Sequence, residues 1–113
     1  MPREIATHIW VGALLHRAEQ SGAFATVVHS GDAQRGDVLI KVTRERGTAQ
    51  LYAPAFNPDG PTEFEALPAG VTDAPEGDVD ALIARRLTSD RDLWVIEIED
   101  RRGRHFLTET VRR

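Results

Sequence analysis

The chain has 113 residues, a formal charge of −4 and no cysteine. This length suits one domain that folds without a metal or a cross-link, and the lack of cysteine excludes disulfides, thiolate nucleophiles and cysteine-ligated zinc. The longest apolar run, residues 9–15, is too short to span a membrane, and the N-terminus does not resemble a secretory signal. We therefore expect a single domain over residues 1–113, located in the cytoplasm and without a membrane partner.

The first segment has helical periodicity and predicts a helix over residues 3–21. Trp10 and Leu14 lie on its apolar arc, which indicates that they anchor the helix in the core. Ile5 and Ile9 fall on the opposite, otherwise polar side. Either they form a partner or dimer surface, or the helix is buried on both sides.

Three strand-like segments follow, at residues 24–29, 37–43 and 48–53, and the simplest arrangement is an antiparallel meander. Between the first two lies GDAQRGD, residues 31–37, whose glycines have the spacing of a phosphate-binding loop. Asp37 stands where such a loop requires lysine, and its carboxylate would repel a phosphate. We therefore interpret Ser30 to Gly36 as a hairpin loop.

Composition changes over residues 54–77, which hold five of the six prolines. Proline removes a backbone donor, so this segment is predicted to be a loop, with one short edge strand at 63–67. A second helix is predicted over residues 78–88, where Asp78 suits the N-cap position.

The strand at residues 93–99 has the clearest alternation in the chain. Trp94, Ile96 and Ile98 share one face, which is predicted to be buried, while Glu97 and Glu99 face solvent. A turn then leads to a return strand at 104–108. The predicted fold is α+β: an antiparallel sheet of about four to six strands, with hairpins 24–29/37–43/48–53 and 93–99/104–108, and both helices on the face of Ile96.

One set of polar residues forms a candidate binding surface around this last hairpin. Its members are Asp37, Glu97, Glu99, Asp100, Arg102 and His105. Asp37, Glu97, Glu99 and His105 suggest a metal-dependent hydrolase of nuclease type. Glu99, however, occupies the position where the acid-x-lysine pattern of such nucleases has lysine. The alternative is a solvated sheet face with cross-strand ion pairs, and we assign no catalytic residue, metal ligand or cofactor.

The turn Arg101–Arg104 offers a second alternative, weak RNA binding. Against it, residues 59–100 carry three basic and twelve acidic side chains, and an acidic body repels nucleic acid. The sequence thus favours a non-enzymatic protein-binding module whose partner is another protein or a second copy of the chain.

The whole chain except residues 54–76 resembles a family of short bacterial proteins known as domain of unknown function 1491. The resemblance rests on IWVGALLHRAEQSG, on GDAQRGDVLIKVTR with GTAQLY, and above all on DLWVIEIEDRRGRHFL. It implies a complete single domain. The family has no assigned activity, so no functional residues follow from the resemblance.

Overall fold

The computed structural model describes residues 5–113, in which two helices cover a seven-stranded mixed sheet. The elements in chain order are α1 (Thr7–Gln20), β1 (Phe24–His29), β2 (Val38–Thr43), β3 (Thr48–Ala55), β4 (Glu63–Leu67), β5 (Ala74–Pro75), α2 (Glu76–Ser89), β6 (Trp94–Glu99) and β7 (Val111–Arg112). The predicted α+β class is confirmed. Helix α1 lies inside the predicted range 3–21, whose first two residues fall outside the described part of the chain.

The sheet has the strand order β1-β6-β2-β3-β4-β7, with β5 paired to β3. Strand β6 is antiparallel to β1 and parallel to β2, so it separates the two strands that were expected to form a hairpin. The predicted pairing of 24–29 with 37–43 is therefore wrong, and the sheet is mixed. The β2–β3 hairpin is confirmed, and Gly47 in its turn has a φ of 86°.

The segment 30–37 is a crossover that passes close to residues 92–94, where β6 begins, and not a hairpin loop. A Cβ atom on Gly31 would lie 2.0 Å from the carbonyl oxygen of Asp92, and one on Gly36 would lie 2.3 Å from the same atom. The indole Nε1 of Trp94 donates to the carbonyl oxygen of Asp32 at 2.8 Å. Glycine is thus required here because two backbones approach closely.

The C-terminal segment does not return along β6, so the predicted hairpin 93–99/104–108 is wrong. It crosses the molecule on the side of α1 and ends in β7, which pairs in parallel with β4. Arg17 donates from Nη2 to the carbonyl oxygen of Phe106 at 2.8 Å, and Trp10 donates from Nε1 to Glu109 at 2.8 Å. Between β6 and β7, the segment is therefore held by side chains of α1 and not by a strand partner.

The two helices cover opposite faces of the sheet, so the prediction that both lie on one face is correct for α1 and wrong for α2. The α1 side contains Trp10, Leu14, Val38, Ile40, Val42, Tyr52, Phe64, Trp94, Ile96 and Ile98. The α2 side contains Leu39, Ala49, Leu51, Ala53, Val79, Ile83, Leu93 and Val95. Strands β2 and β6 are therefore buried on both faces over most of their length, which explains why their apolar residues run almost continuously.

Candidate functional site

The four residues of the hydrolase hypothesis lie in three different places. Glu97 and Glu99 are on the α2 side of β6, since Ile96 and Ile98 point into the α1-side core. Asp37 is at the other end of that strand, where its carbonyl oxygen accepts the N–H of Trp94 at 2.8 Å. The ring of His105 contacts Tyr52 in the α1-side core. Within residues 5–113, no group of three or more His, Asp or Glu side chains is placed to hold a metal ion.

Asp100, a candidate binding residue, is buried in a structural clamp with Arg104. The guanidinium donates from Nε and Nη2 to the two carboxylate oxygens at 2.9 and 2.8 Å, and the backbone N–H of Arg104 donates to the same carboxylate at 2.8 Å. These hydrogen bonds outweigh the effect of burial and lower the pKa of the Asp100 carboxyl. Arg104 also donates to the carbonyl oxygen of Ser21. The clamp therefore joins the turn after β6 to the end of α1.

His105 also has a structural role in the described contacts. Its Nδ1 accepts the backbone N–H of Leu107 at 2.9 Å, and its ring meets that of Tyr52 edge to face at a centroid distance of 4.9 Å. Burial, together with the nearby charge of Arg113, lowers the pKa of the imidazole. The neutral ring therefore holds the C-terminal segment against the sheet.

Glu97, Glu99 and Arg102 line an open groove of about 970 Å³ between the β2–β3 turn and the turn after β6. The charged lining residues are Arg44, Glu45, Arg46, Glu76, Glu97, Glu99, Asp100, Arg101, Arg102 and Arg104. The lining thus contains five arginines and five carboxylates, so the groove has no net formal charge. A continuous basic surface, which RNA binding requires, is not formed by the Arg101–Arg104 turn.

A buried lysine next to this groove was not singled out by sequence reasoning. The Nζ of Lys41 lies 2.6 Å from Oε2 of Glu76 and 2.8 Å from Oδ1 of Asp80, and its side chain is 5% exposed. Burial acts to lower the pKa of the ammonium, but the hydrogen bonds to Asp80 and Glu76 and the charge of Glu97 reverse this, and the net shift is upward. The two carboxylates therefore favour the charged form of the Lys41 side chain. The signal was present in VLIKVT, where one lysine interrupts an otherwise apolar strand.

The clearest exposed apolar surface is on β1, which lies at the edge of the sheet. The side chains of Phe24 and Val28 are 67% and 55% exposed, and Thr26 between them is exposed as well. Strand β1 contains no Asp, Glu, Lys or Arg. Natural edge strands usually carry charges or proline that discourage pairing, so this strand is unusually open to another chain.

The backbone of β1 also offers free hydrogen-bonding groups. The N–H groups of Trp94 and Asp100 point toward β2, where they donate to Asp37 and Thr43. Because N–H directions alternate along a strand, those of the odd-numbered β6 residues point toward β1. The partners of Glu97 and Glu99 are Thr26 and Phe24. It follows that the N–H and C=O groups of residues 25 and 27 point away from the sheet.

Ile5 and Ile9 are 47% and 54% exposed. Of the two sequence interpretations, burial of the helix on both sides is wrong, and both side chains are accessible. No helix within residues 5–113 is long and apolar enough to cross a membrane.

Comparison with known proteins finds a matching family model and related solved structures. A family model described as a protein of unknown function (DUF1491) matches residues 5–108. A crystal structure of a DUF1491 family protein from Caulobacter crescentus CB15 is 50% identical, with a TM-score of 0.84, and the match covers 95% of this chain and 98% of that one. An NMR structure of a DUF1491 family protein from the same organism is 48% identical, with a TM-score of 0.84 and coverage of 98% and 99%.

A more distant solution structure, of a protein from A. tumefaciens, is 25% identical with a TM-score of 0.80, and the match covers 98% of both chains. No curated protein matches the chain. The match over residues 5–108 and the identity to solved members confirm the resemblance seen in the sequence: the chain belongs to the DUF1491 family.

Proposed function

We propose that this protein is a non-enzymatic binding module that takes up a strand of a protein partner along the free edge of β1. The observation that carries the proposal is the combination of exposed Phe24 and Val28 with outward-pointing backbone groups on a strand without charged side chains. Strand addition uses such an edge: backbone hydrogen bonds supply affinity and alternate side chains supply specificity.

The positions of the ionisable groups support a binding role over catalysis. Two candidate residues with shifted pKa values, Asp100 of the binding surface and His105 of the hydrolase hypothesis, are engaged in contacts that hold the C-terminal segment. Lys41 is neutralised by two carboxylates. An active site would instead direct such groups into one shared cavity.

A pair of photo-crosslinking variants tests the proposal in the native cell. A photoreactive phenylalanine analogue replaces Phe24 in one variant and Phe56, which is 80% exposed at the far side of the sheet, in the other. We expect a discrete protein adduct from position 24 and none of that mass from position 56.

The adduct must also depend on the strand edge. Proline at position 25 removes an N–H that points to solvent, a place where edge strands tolerate proline, so Ala25→Pro should leave the fold intact and abolish the adduct. Proline at position 26 would remove an N–H that donates to β6. Thr26→Pro should therefore unfold the protein, and it serves as the control. An adduct that persists in the folded Ala25→Pro variant, or no adduct from position 24, would refute strand addition.

A further inference from the structure

We infer that the partner strand is β1 of a second copy of this chain, so that two sheets join across a two-fold axis through Thr26. This inference rests on the proposed function, because it uses the same edge. It goes further by fixing the partner, the register and the symmetry.

The strand is complementary to itself in this register. Antiparallel pairing centred on Thr26 sets Ala25 opposite the second copy's residue 27, and both have outward-pointing backbone groups. They therefore form hydrogen-bonded pairs, while the central Thr26 pair is of the non-hydrogen-bonded kind. On the exposed face, Phe24 meets the second copy's residue 28. Aromatic side chains opposite β-branched ones, and threonine opposite threonine, are stabilising cross-strand pairs.

The charges at the two ends of β1 are also complementary across the axis. At its Phe24 end lie Glu99, Asp100 and the three arginines of the turn at 101–104, with a summed formal charge of +1; its His29 end adjoins the segment 90–92, with two aspartates and one arginine and a summed formal charge of −1. A two-fold rotation reverses the second strand and so sets the arginine-bearing end beside the end with the aspartates. Such complementarity fixes orientation and register more than affinity.

The pairing is closed and does not lead to fibres. An isologous contact uses the same patch on both copies, so both β1 edges are consumed. The opposite edge of the sheet is β7, a strand of two residues, where Arg112 is tied to Glu63 at 2.6 Å and to the carbonyl oxygen of Phe56 at 2.9 Å. Short, charged edges of this kind resist further addition.

Sedimentation of the purified chain tests the inference first. We expect a species of twice the 12.5 kDa chain mass, which dissociates on dilution and more readily at high salt. Thr26→Lys would place two ammonium groups opposite each other on the axis and should give a monomer with unchanged circular dichroism. Thr88→Lys, on the exposed side of α2, should remain dimeric. A monomer of the native chain up to millimolar concentration would overturn the inference, as would a dimer of the Thr26→Lys variant.

Disulfide formation by one introduced cysteine tests the register. The chain has no cysteine of its own that could form a competing disulfide. In a non-hydrogen-bonded antiparallel pair the Cα atoms lie about 4.5 Å apart, within the range of a disulfide. Thr26→Cys should therefore form a covalent dimer under mild oxidation, and Thr88→Cys should not. Equal yields from both variants would overturn the register.

The two proposals can fail separately. If the native chain is monomeric but position 24 captures a different protein in an edge-dependent manner, self-pairing is wrong and the binding module stands. If there is neither a dimer nor an edge-dependent adduct, both are wrong.

Discussion

Lys41 and Glu76 form an ion pair of 2.6 Å that joins the middle of the sheet to the first turn of α2. Asp80, one turn further along that helix, contacts the same ammonium at 2.8 Å. The lysine side chain is buried, whereas the two carboxylates are 38% and 55% exposed. This asymmetry determines which partner the fold can lose at low cost.

Removing the buried charge should cost less than removing its partners. In the Lys41→Met variant the two carboxylates remain hydrated, and we expect a loss in the free energy of unfolding of at most ~1 kcal/mol. The Glu76→Gln/Asp80→Asn double variant leaves a buried ammonium with only Glu97 nearby, and should lose about 3 kcal/mol. Urea denaturation of both variants measures the difference, and equal losses would contradict this account.

The same ion pair predicts behaviour at high pH. The pKa of Lys41 is raised above its ordinary value of 10.5, so its contribution to stability is complete below that pH and is lost as the pH rises through the folded value. Thermal melts of the native chain and of Lys41→Met should therefore converge at alkaline pH. If the melting temperatures of the two proteins differ by the same amount at every pH, the charge of Lys41 contributes nothing to stability.

The burial of one face of β6 was predictable, because the alternation of its side chains is a local pattern. Trp94, Ile96 and Ile98 repeat at the period of a strand, and the structure buries them. The neighbours of that strand were not predictable in this way. Strands joined by a connection of eight residues, 30–37, are expected to form a hairpin, since consecutive strands usually pair. Only the two glycines in this connection indicated that another backbone passes close to it.

The candidate site depended on that incorrect pairing. His105 was expected beside Glu97 and Glu99 because a return strand was expected, and the chain instead crosses to the α1 side, where Arg17 and Trp10 hold it. Those contacts span 89 and 99 residues of sequence, and no local pattern encodes them.

A pair of substitutions can test which side chains of β6 point into the core. Ile96 has no exposed surface, so Ile96→Asp buries an unpaired carboxylate and should unfold the protein. Glu99 is exposed, and Glu99→Ala should change the free energy of unfolding by no more than ~0.5 kcal/mol. Circular dichroism during thermal melting distinguishes the two, and a folded Ile96→Asp variant would show that the assigned facing is wrong.

Two glycines should respond in opposite directions to alanine. Gly31→Ala would force a methyl group to within 2.0 Å of a backbone oxygen and should destabilise the crossover strongly. Gly12 lies in α1 with no neighbouring atom within 4 Å of an added Cβ, so Gly12→Ala should stabilise the protein by up to ~1 kcal/mol. Melting temperatures that fall in both variants would contradict this assignment for Gly12.

The clamp between Asp100 and Arg104 should determine stability in acid. Asp100→Asn removes a charged acceptor of three hydrogen bonds and should cost about 2 kcal/mol; Glu99→Gln, one residue earlier and exposed, is the matched control. Because the pKa of Asp100 is lowered from 3.8, its contribution is present above that pH and is lost as the pH falls through the folded value. An Asp100→Asn variant as acid-sensitive as the native chain would exclude this residue as a cause.

His105 should make the fold weaker in mildly acidic solution. Its pKa is lowered from 6.5 by burial and by Arg113, so below pH 6.5 the unfolded chain binds a proton more readily than the folded one, and stability falls as the pH falls until the folded pKa is passed. Protonation also removes the acceptor of the Leu107 N–H and should loosen the C-terminal segment. Hydrogen exchange of that amide, followed from pH 7.5 to about pH 5, measures the effect directly. His105→Gln should flatten the dependence while His16→Gln, on the exposed side of α1, leaves it unchanged; a native chain whose Leu107 amide is equally protected across this range would show that the imidazole does not control the segment.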